Sequence, residues 1–385
     1  MSYGIQVWAS QCSDFSDILP KKENWKKQDK HSVYEGKGWQ ISVWKSVKVL
    51  PEDIPIDISK ALPGIQYLFE LNLSPITASK TAQQFLQKAA KAIAKQNHGV
   101  VFNPQTDVVE NIRGVKRFAS YSREERLSIT ELSWWFLKNP LQAINSVETF
   151  FEIIESNVSE ALPRRYGLYE PPQFQLKEEG KNHLISFMSK NISGSPVIYP
   201  HRPFTDFSFS ILEKDYTINK HLGFKSNRVS MGIEHRSIEQ PGWQEGLLRL
   251  WRNLSEFLRP FYGEVRTLDN YMRMGATVGS DTKTSVHPVR SWFWRGIPCE
   301  LGHAIVVDEV YAKKWPDLLE RTDSSNGLHF FSVGSWFDRE KIKINIPSEL
   351  AQKGTPQWVN NEGPLGGWTV NWVKDYPDYW PFEKP

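Results

Sequence analysis

The stretch Ile65-Gln-Tyr-Leu-Phe-Glu-Leu-Asn-Leu73, followed by Ala82-Gln-Gln-Phe-Leu-Gln-Lys-Ala-Ala-Lys-Ala-Ile93 and then by Val100-Val-Phe102, decides the fold class. Ile65, Tyr67, Phe69, Leu71 and Leu73 alternate with polar or second-face residues, the period of a half-buried strand. Ala82, Phe85, Leu86, Ala89, Ala90 and Ile93 recur at three and four, one face of a helix. Pro75 and Thr77 open that helix, and Gly99 is placed to close it as the residue after the C-cap. Val100 to Phe102 then reads as a strand that runs into a turn at Asn103-Pro-Gln-Thr-Asp107. Upstream, Ile5 to Ala9 reads as a short strand. Trp39 to Leu50 reads as another, with Ile41, Val43, Val47 and Val49 on one face. The lysine-rich stretch from Asp14 to Gly38, with Lys21, Lys22, Lys26 and Lys27, reads as a solvated loop, with phosphate binding as the alternative. Strand, strand, strand, helix, strand predicts an α+β domain with a helix on one face of an antiparallel sheet, over residues 1–118.

The remainder, residues 119–385, repeats that character. Leu127 to Leu137 is rich in β-formers. A helix is predicted from about Pro140, with Ile144, Val147, Phe151, Ile154, Val158 and Leu162 as its stripe, stopped by Pro163. Leu184–Met188, Phe207–Leu212 and Val229–His235 read as strands. Trp243, Leu247, Leu250, Trp251, Leu254, Phe257 and Leu258 share a helical face that ends at Pro260. Gly275–Lys283 reads as a loop, and Leu301–Val307 and Phe330–Val333 as strands. From Gln357 on, the aromatic-rich chain reads as a tail wrapped over an existing surface. The expectation is α+β throughout: two domains, each a mostly antiparallel sheet with amphipathic helices on one face.

The 385 residues hold 47 Lys and Arg against 44 Asp and Glu, a net charge of +3. That balance gives no electrostatic reason to expect nucleic acid or an anionic membrane as partner. Charged residues at 24% and hydrophobic ones at 39% exclude a disordered or fibrous chain. Cys12 and Cys299 are too few and too far apart for a disulfide framework or a zinc knuckle. No basic stretch with a long apolar run opens the sequence, and none approaches a membrane span, so a cytoplasmic protein is expected. The sixteen tryptophans are the unusual count. They suit either a large core or an aromatic binding face.

Short catalytic motifs are missing. There is no phosphate-binding P-loop, dinucleotide fingerprint, nucleophile elbow, HExxH or CxxC. None of the nine histidines stands two or four residues from another. No metal site, cofactor or catalytic residue is assigned. His303 with Asp308 and Glu309 is the nearest thing to a constellation. On a strand His303 and Glu309 would share a face. A nuclease-like acidic pair with E-x-K is only vaguely suggested around Asp338-Arg-Glu-Lys341, because Ile342 stands where the lysine belongs.

Two clusters remain as candidate binding residues: Arg164, Arg165 and Tyr166, and Trp292, Trp294 and Arg295. Arginine and aromatic side chains are typical interface anchors. Arginine at a helix C-terminus also complements the dipole, and arginine stacked on an aromatic also suits a buried strand end.

Pro163-Arg-Arg-Tyr-Gly167 with Glu170-Pro-Pro-Gln173, Pro260-Phe-Tyr-Gly-Glu-Val265, and Trp294-Arg-Gly-Ile-Pro298 with Leu301-Gly302 and Tyr311 to Trp315-Pro316 resemble a bacterial immunity-protein family, the immunity protein 52 group. The resemblance covers roughly residues 122–340 and leaves the N-terminal domain unexplained. It implies a non-enzymatic protein that neutralises a cognate toxin, encoded by a neighbouring gene, through direct protein–protein contact. The alternative is a component or effector enzyme of an anti-phage defence system with scattered catalytic residues. A structural subunit of a larger assembly is a third reading.

Overall fold

The structure, a computed structural model, describes residues 3–14, 19–20, 24–28, 31–75, 78–103, 108–111, 114–117, 126–169, 172–212, 217–219, 223–274, 277–280, 294, 296–352, 355–361 and 367–373. The chain divides into two compact units, Met1–Glu125 with Arg273–Thr277, and Arg126–Met272 with Val278–Pro385. The fold class is α+β, with the named strand pairs antiparallel.

In the first unit the strands are β1 (Tyr3–Ala9), β2 (Trp25–Lys27), β3 (His31–Gly36), β4 (Trp39–Trp44), β5 (Val47–Lys48), β6 (Tyr67–Ser74), β7 (Gly99–Asn103), β8 (Val108–Asn111) and β9 (Gly114–Arg117). They form one sheet in the order β2-β3-β4-β6-β1-β7-β8-β9, with β5 against β6. Helix α1 (Ile56–Ala61) lies between β5 and β6, and α2 (Lys80–Gln96) between β6 and β7. The α2 stripe of Ala82, Leu86, Ala89, Ala90 and Ile93 is buried with Ile5, Val7, Ile41, Val43, Phe69, Leu71 and Leu73. The opposite face of the sheet packs Trp8, Val49, Leu68 and Val100 with Ile58 of α1.

Four expectations shift here. Helix α2 begins at Lys80 because the Ser79 hydroxyl caps it, accepting from the Ala82 amide at 3.3 Å. His98, not Gly99, takes the left-handed position after the helix, with φ at 49°. Gly99 already belongs to β7, where a Cβ would come within 2.7 Å of the Trp8 carbonyl oxygen. The alternation from Trp39 is broken at Lys45–Ser46, so Val49 joins the core on the other face from Ile41 and Val43. The lysine-rich stretch is not all loop: β2 and β3 lie in it, and Val33 and Tyr34 are buried.

The second unit is built on β10 (Arg126–Phe136). Next come α3 (Ser146–Asn157), β11 (Pro163–Gly167), β12 (Phe174–Gln175), α4 (Leu176–Asn191), β13 (Val197–Pro200), β14 (Phe204–Ser210), β15 (Thr217–Asn219), β16 (Gly223–Lys225), β17 (Asn227–Glu234) and α5 (Trp243–Leu258). Beyond these lie β18 (Tyr262–Met274), β19 (Thr277–Ser280), β20 (Ala304–Asp308), α6 (Glu309–Lys313), α7 (Pro316–Leu319), β21 (Asp323–Ser325), β22 (Leu328–Ser332), β23 (Thr355–Asn361) and β24 (Gly367–Val373). The main sheet runs β14-β17-β10-β18-β20-β22-β21, and β12-β11-β13 form a separate three-stranded sheet.

One face of the main sheet carries Leu132, Trp134, Phe136, Met231, Val265 and Val306 into a core with α3 and α5. The indole rings of Trp134 and Trp251 stack 4.8 Å apart, and Trp134 Nε1 donates to the Ser255 hydroxyl at 2.8 Å. The opposite face carries Trp135, Tyr262, Ile305 and Val307 into a second core with Trp294, Tyr311 and Trp315. Tryptophan therefore serves both cores of this sheet.

The helix predicted from Pro140 starts at Ser146, after a short 3-10 turn, and leaves Ile144 92% exposed. Leu184–Met188, predicted as a strand, lies in α4: Leu184 and Met188 are four apart and both buried, the helical spacing. A five-residue stretch with four apolar side chains fits either period, so the sequence alone favoured the wrong one. Thr277–Ser280 is a strand within the predicted loop Gly275–Lys283, and the wrapping tail contains the β23–β24 hairpin. The predicted boundary at residues 118 and 119 lies outside the described residues.

Candidate functional site

Pro163-Arg-Arg-Tyr-Gly167 is strand β11, not a helix end. Arg165 is 1% exposed, and its Nη1 donates to the Pro172 carbonyl at 3.3 Å. Tyr166 is fully buried, with its hydroxyl 2.8 Å from His183 Nδ1 of α4 and its ring against Phe174 and Phe187. Burial, with the Glu179 charge adding to it, pushes that hydroxyl up to about 12. Arg164 is half-buried. The segment clamps α4 to the small sheet.

Trp294 is 1% exposed. Its Nε1 donates to the Tyr311 hydroxyl at 3.0 Å, and its ring lies 5.0 to 5.6 Å from those of Tyr262, Phe261 and Trp135. Trp292 and Arg295 lie outside the described residues. The expected binding face is corrected for Arg165, Tyr166 and Trp294, which are interior side chains with almost no surface to offer a partner. Arg164 keeps partial exposure.

His303 does not meet Glu309. Asp308 caps α6, accepting from the Tyr311 amide at 2.9 Å, and Glu309 pairs with His329 at 2.8 Å. Burial raises the Asp308 carboxyl to about 6.

His303 belongs to a different group. Thr130 of β10 and Thr267 of β18 are cross-strand partners, and their hydroxyls are 3.1 Å apart. The Thr130 hydroxyl is 2.9 Å from His235 Nδ1, and the Thr267 hydroxyl is 2.8 Å from His303 Nε2. The far ring nitrogens face backbone carbonyls: His235 Nε2 to Phe337 at 3.0 Å, and His303 Nδ1 to Glu340 at 2.5 Å. A carbonyl only accepts, so both of these nitrogens carry the proton. The Thr267 backbone amide also faces His303 Nε2, at 3.1 Å, so that nitrogen accepts and the His303 imidazole is neutral. Burial pushes both histidines below the usual range.

The opposite face holds ion pairs. Glu131 accepts from Arg228 and, at 2.5 Å, from the Ser133 hydroxyl. Glu264, fully buried, accepts from Arg266 Nη2 at 2.6 Å and from the Gly302 amide at 2.6 Å. Arg266 also donates to the Glu300 carbonyl. Burial pushes the Glu264 carboxyl up, against the pull of Arg266.

These polar groups wire the sheet to the segments that cover it. The histidine–threonine group escaped the sequence reading because its four members come from distant segments. One signal was present: Thr130 stands where the alternation of Leu132, Trp134 and Phe136 asks for an apolar side chain.

Surface concavities among the described residues include two open ones. One, of about 300 Å³, lies at the C-terminal end of α3 and the start of α5 and includes Glu155, Glu160, Trp243 and Arg249. The other, of about 460 Å³, lies in the first unit. None of His235, His303, Glu264 or Asp308 lines either one. Among the described residues no three His, Cys, Asp or Glu side chains are grouped to hold a metal ion. No described helix is long and apolar enough to cross a membrane. No protein-family model matches the chain, and no curated protein matches it.

Proposed function

We propose that this chain is a toxin-neutralising immunity protein that acts by direct contact with its cognate toxin. The observation that carries the reading is how the segments bearing the resemblance pack. Phe261, Tyr262, Trp294, Ile297, Leu301, Tyr311 and Trp315 share one buried cluster. Glu264 accepts from Gly302, and Trp294 donates to Tyr311. Two of the three resembling segments thus share one buried cluster, while Pro163–Gly167 packs separately, with Tyr166 in the other core of the unit. The titratable groups of the interior are engaged with one another, with backbone groups and with helix caps, which suits a scaffold.

In this reading the toxin meets the surface of the second unit, and the groove of Glu155, Glu160 and Arg249 is the contact we assign. The groove is lined mainly by polar and charged groups, Glu155, Asn157, Ser159, Glu160 and Arg249, which suit the polar contacts of a protein interface. Trp243, partly buried, supplies an apolar wall there. Co-expression with the product of the neighbouring toxin gene tests the reading. Rescue of growth and a stable complex are expected, and Glu160→Arg with Arg249→Glu weakens both.

A further inference from the structure

We propose that the first unit binds a small organic phosphate in the cavity beside the open end of β3. The cavity, of about 460 Å³, is lined by Cys12, Ser13, Asp14, Lys27, His31, Ser32, Lys45 and Ser46, over the buried ring of Phe69. Its volume lies within the range of small-ligand pockets. It exceeds what inorganic phosphate alone would fill, which points to a phosphate carried on an organic body.

The chemistry of the lining fits that class. Among the described lining residues, Lys27 and Lys45 stand against one carboxylate, that of Asp14. The Lys27 ammonium is 3.5 Å from Asp14, with both side chains about two-thirds exposed, a pair that a stronger anion displaces at little cost. The hydroxyls of Ser32 and Ser46 stand with the lysines, while that of Ser13 donates to Asn97 Oδ1 at 2.9 Å. Point-charge ammonium groups beside several small donors suit a tetrahedral anion with many acceptor oxygens. The His31 ring lies tilted against Trp44 with centroids 4.5 Å apart, and its Nδ1 has no hydrogen-bond partner. The stretch from Asp14 to Gly38, whose lysines suggested phosphate as an alternative to a plain loop, contributes Lys27, His31 and Ser32 to this wall.

Cys12 provides the readout. Its Sγ is 2.8 Å from the Ser46 hydroxyl, and the thiol is exposed. In the full-length Cys299→Ser protein only Cys12 reacts with a thiol reagent. The probes are ribose 5-phosphate and inorganic phosphate, each up to about 10 mM, the range of weak millimolar sites. The proposal predicts saturable protection of Cys12 by both, and none by ribose at equal concentration. Lys45→Gln and Lys27→Gln each weaken the protection about tenfold, the loss of one charge-assisted contact. Unchanged Cys12 reactivity with both phosphates overturns the proposal. So does protection matched by sodium chloride of the same ionic strength, or retained in the two lysine variants.

Discussion

The imidazole of His303 accepts a hydrogen bond from the backbone amide of Thr267, with Nε2 and the amide nitrogen 3.1 Å apart. A backbone amide cannot turn round, so this nitrogen of His303 can hold no proton without facing another N–H. The Thr267 hydroxyl, 2.8 Å from the same nitrogen, could rotate, but the amide could not. The neutral ring is part of the fold.

The pH dependence of stability follows. Burial pushes His303 and His235 below the ordinary histidine value, so the unfolded chain takes up protons first as pH falls. Their contribution is fully present above about pH 6.5, the unfolded value, and is lost as pH falls towards their folded values. Urea unfolding at pH 7.5 and 5.5 checks this. We expect lower stability at pH 5.5, with a smaller difference in His303→Gln. That variant is itself destabilised by about 1–3 kcal/mol at pH 7.5, because the partners of the ring are left buried.

Asp308 has the opposite sign. Its folded value is raised from 3.8 to about 6 by burial, so its contribution is fully present below about pH 4 and is lost as pH rises through 6. Asparagine caps a helix as well as aspartate does. Asp308→Asn is therefore expected to melt higher than the parent at pH 7.5 and to converge with it near pH 4. Thermal unfolding monitored by circular dichroism at the two pH values separates this group from the histidines.

Gly302 tests the packing between β18 and the segment before β20. A Cβ there would press into the Val265 carbonyl group and the Arg266 Cα, backbone atoms that cannot swing away. The same residue donates its amide to buried Glu264. Gly302→Ala is expected to cost about 1–3 kcal/mol by overpacking, with a further loss if the hydrogen bond to Glu264 stretches. Gly334→Ala is the control, since the nearest atom to its added Cβ is a Glu340 side-chain oxygen at 3.7 Å. Chemical denaturation of the two variants decides between tight packing and a tolerant loop.

Arg165 and Trp294 distinguish scaffold from interface. Trp294→Phe loses the donor to Tyr311 and is expected to cost roughly 1–3 kcal/mol. Arg165→Ala removes a fully buried side chain that ties β11 to Pro172, with a loss of about 3 kcal/mol or more. Variants that fold and still bind the toxin with parental affinity would match the interior positions seen here. Calorimetric titration of each folded variant against the toxin reads it.

The α+β class was legible because its signal is local. The β6–α2–β7 stretch shows period two, then three and four, then a short apolar run, and the structure has strand, helix and strand there, with the helix ends displaced by a few residues. The long apolar faces of β10 and α5 were equally plain. Leu184–Met188 was misread because five residues contain too few repeats to separate a strand from a turn and a half of helix. Arg164 to Tyr166 suggest an interface because arginine and tyrosine are typical anchors there, or a helix end because arginine complements the dipole. Only the Pro172 turn and α4, folded back over β11, enclose Arg165 and Tyr166. The His235–His303 group depends on strand register across the sheet, which no local pattern encodes.

The central claim is neutralisation by direct contact, and one co-expression measurement bears on it most directly. The chain is produced with the proposed cognate toxin, and growth is followed together with the size and stoichiometry of the purified complex. The account predicts restored growth and a stable complex with one toxin per chain, both weakened when Glu160 and Arg249 are reversed in charge. Toxicity undiminished by the well-folded chain, with the two proteins eluting separately, would contradict it.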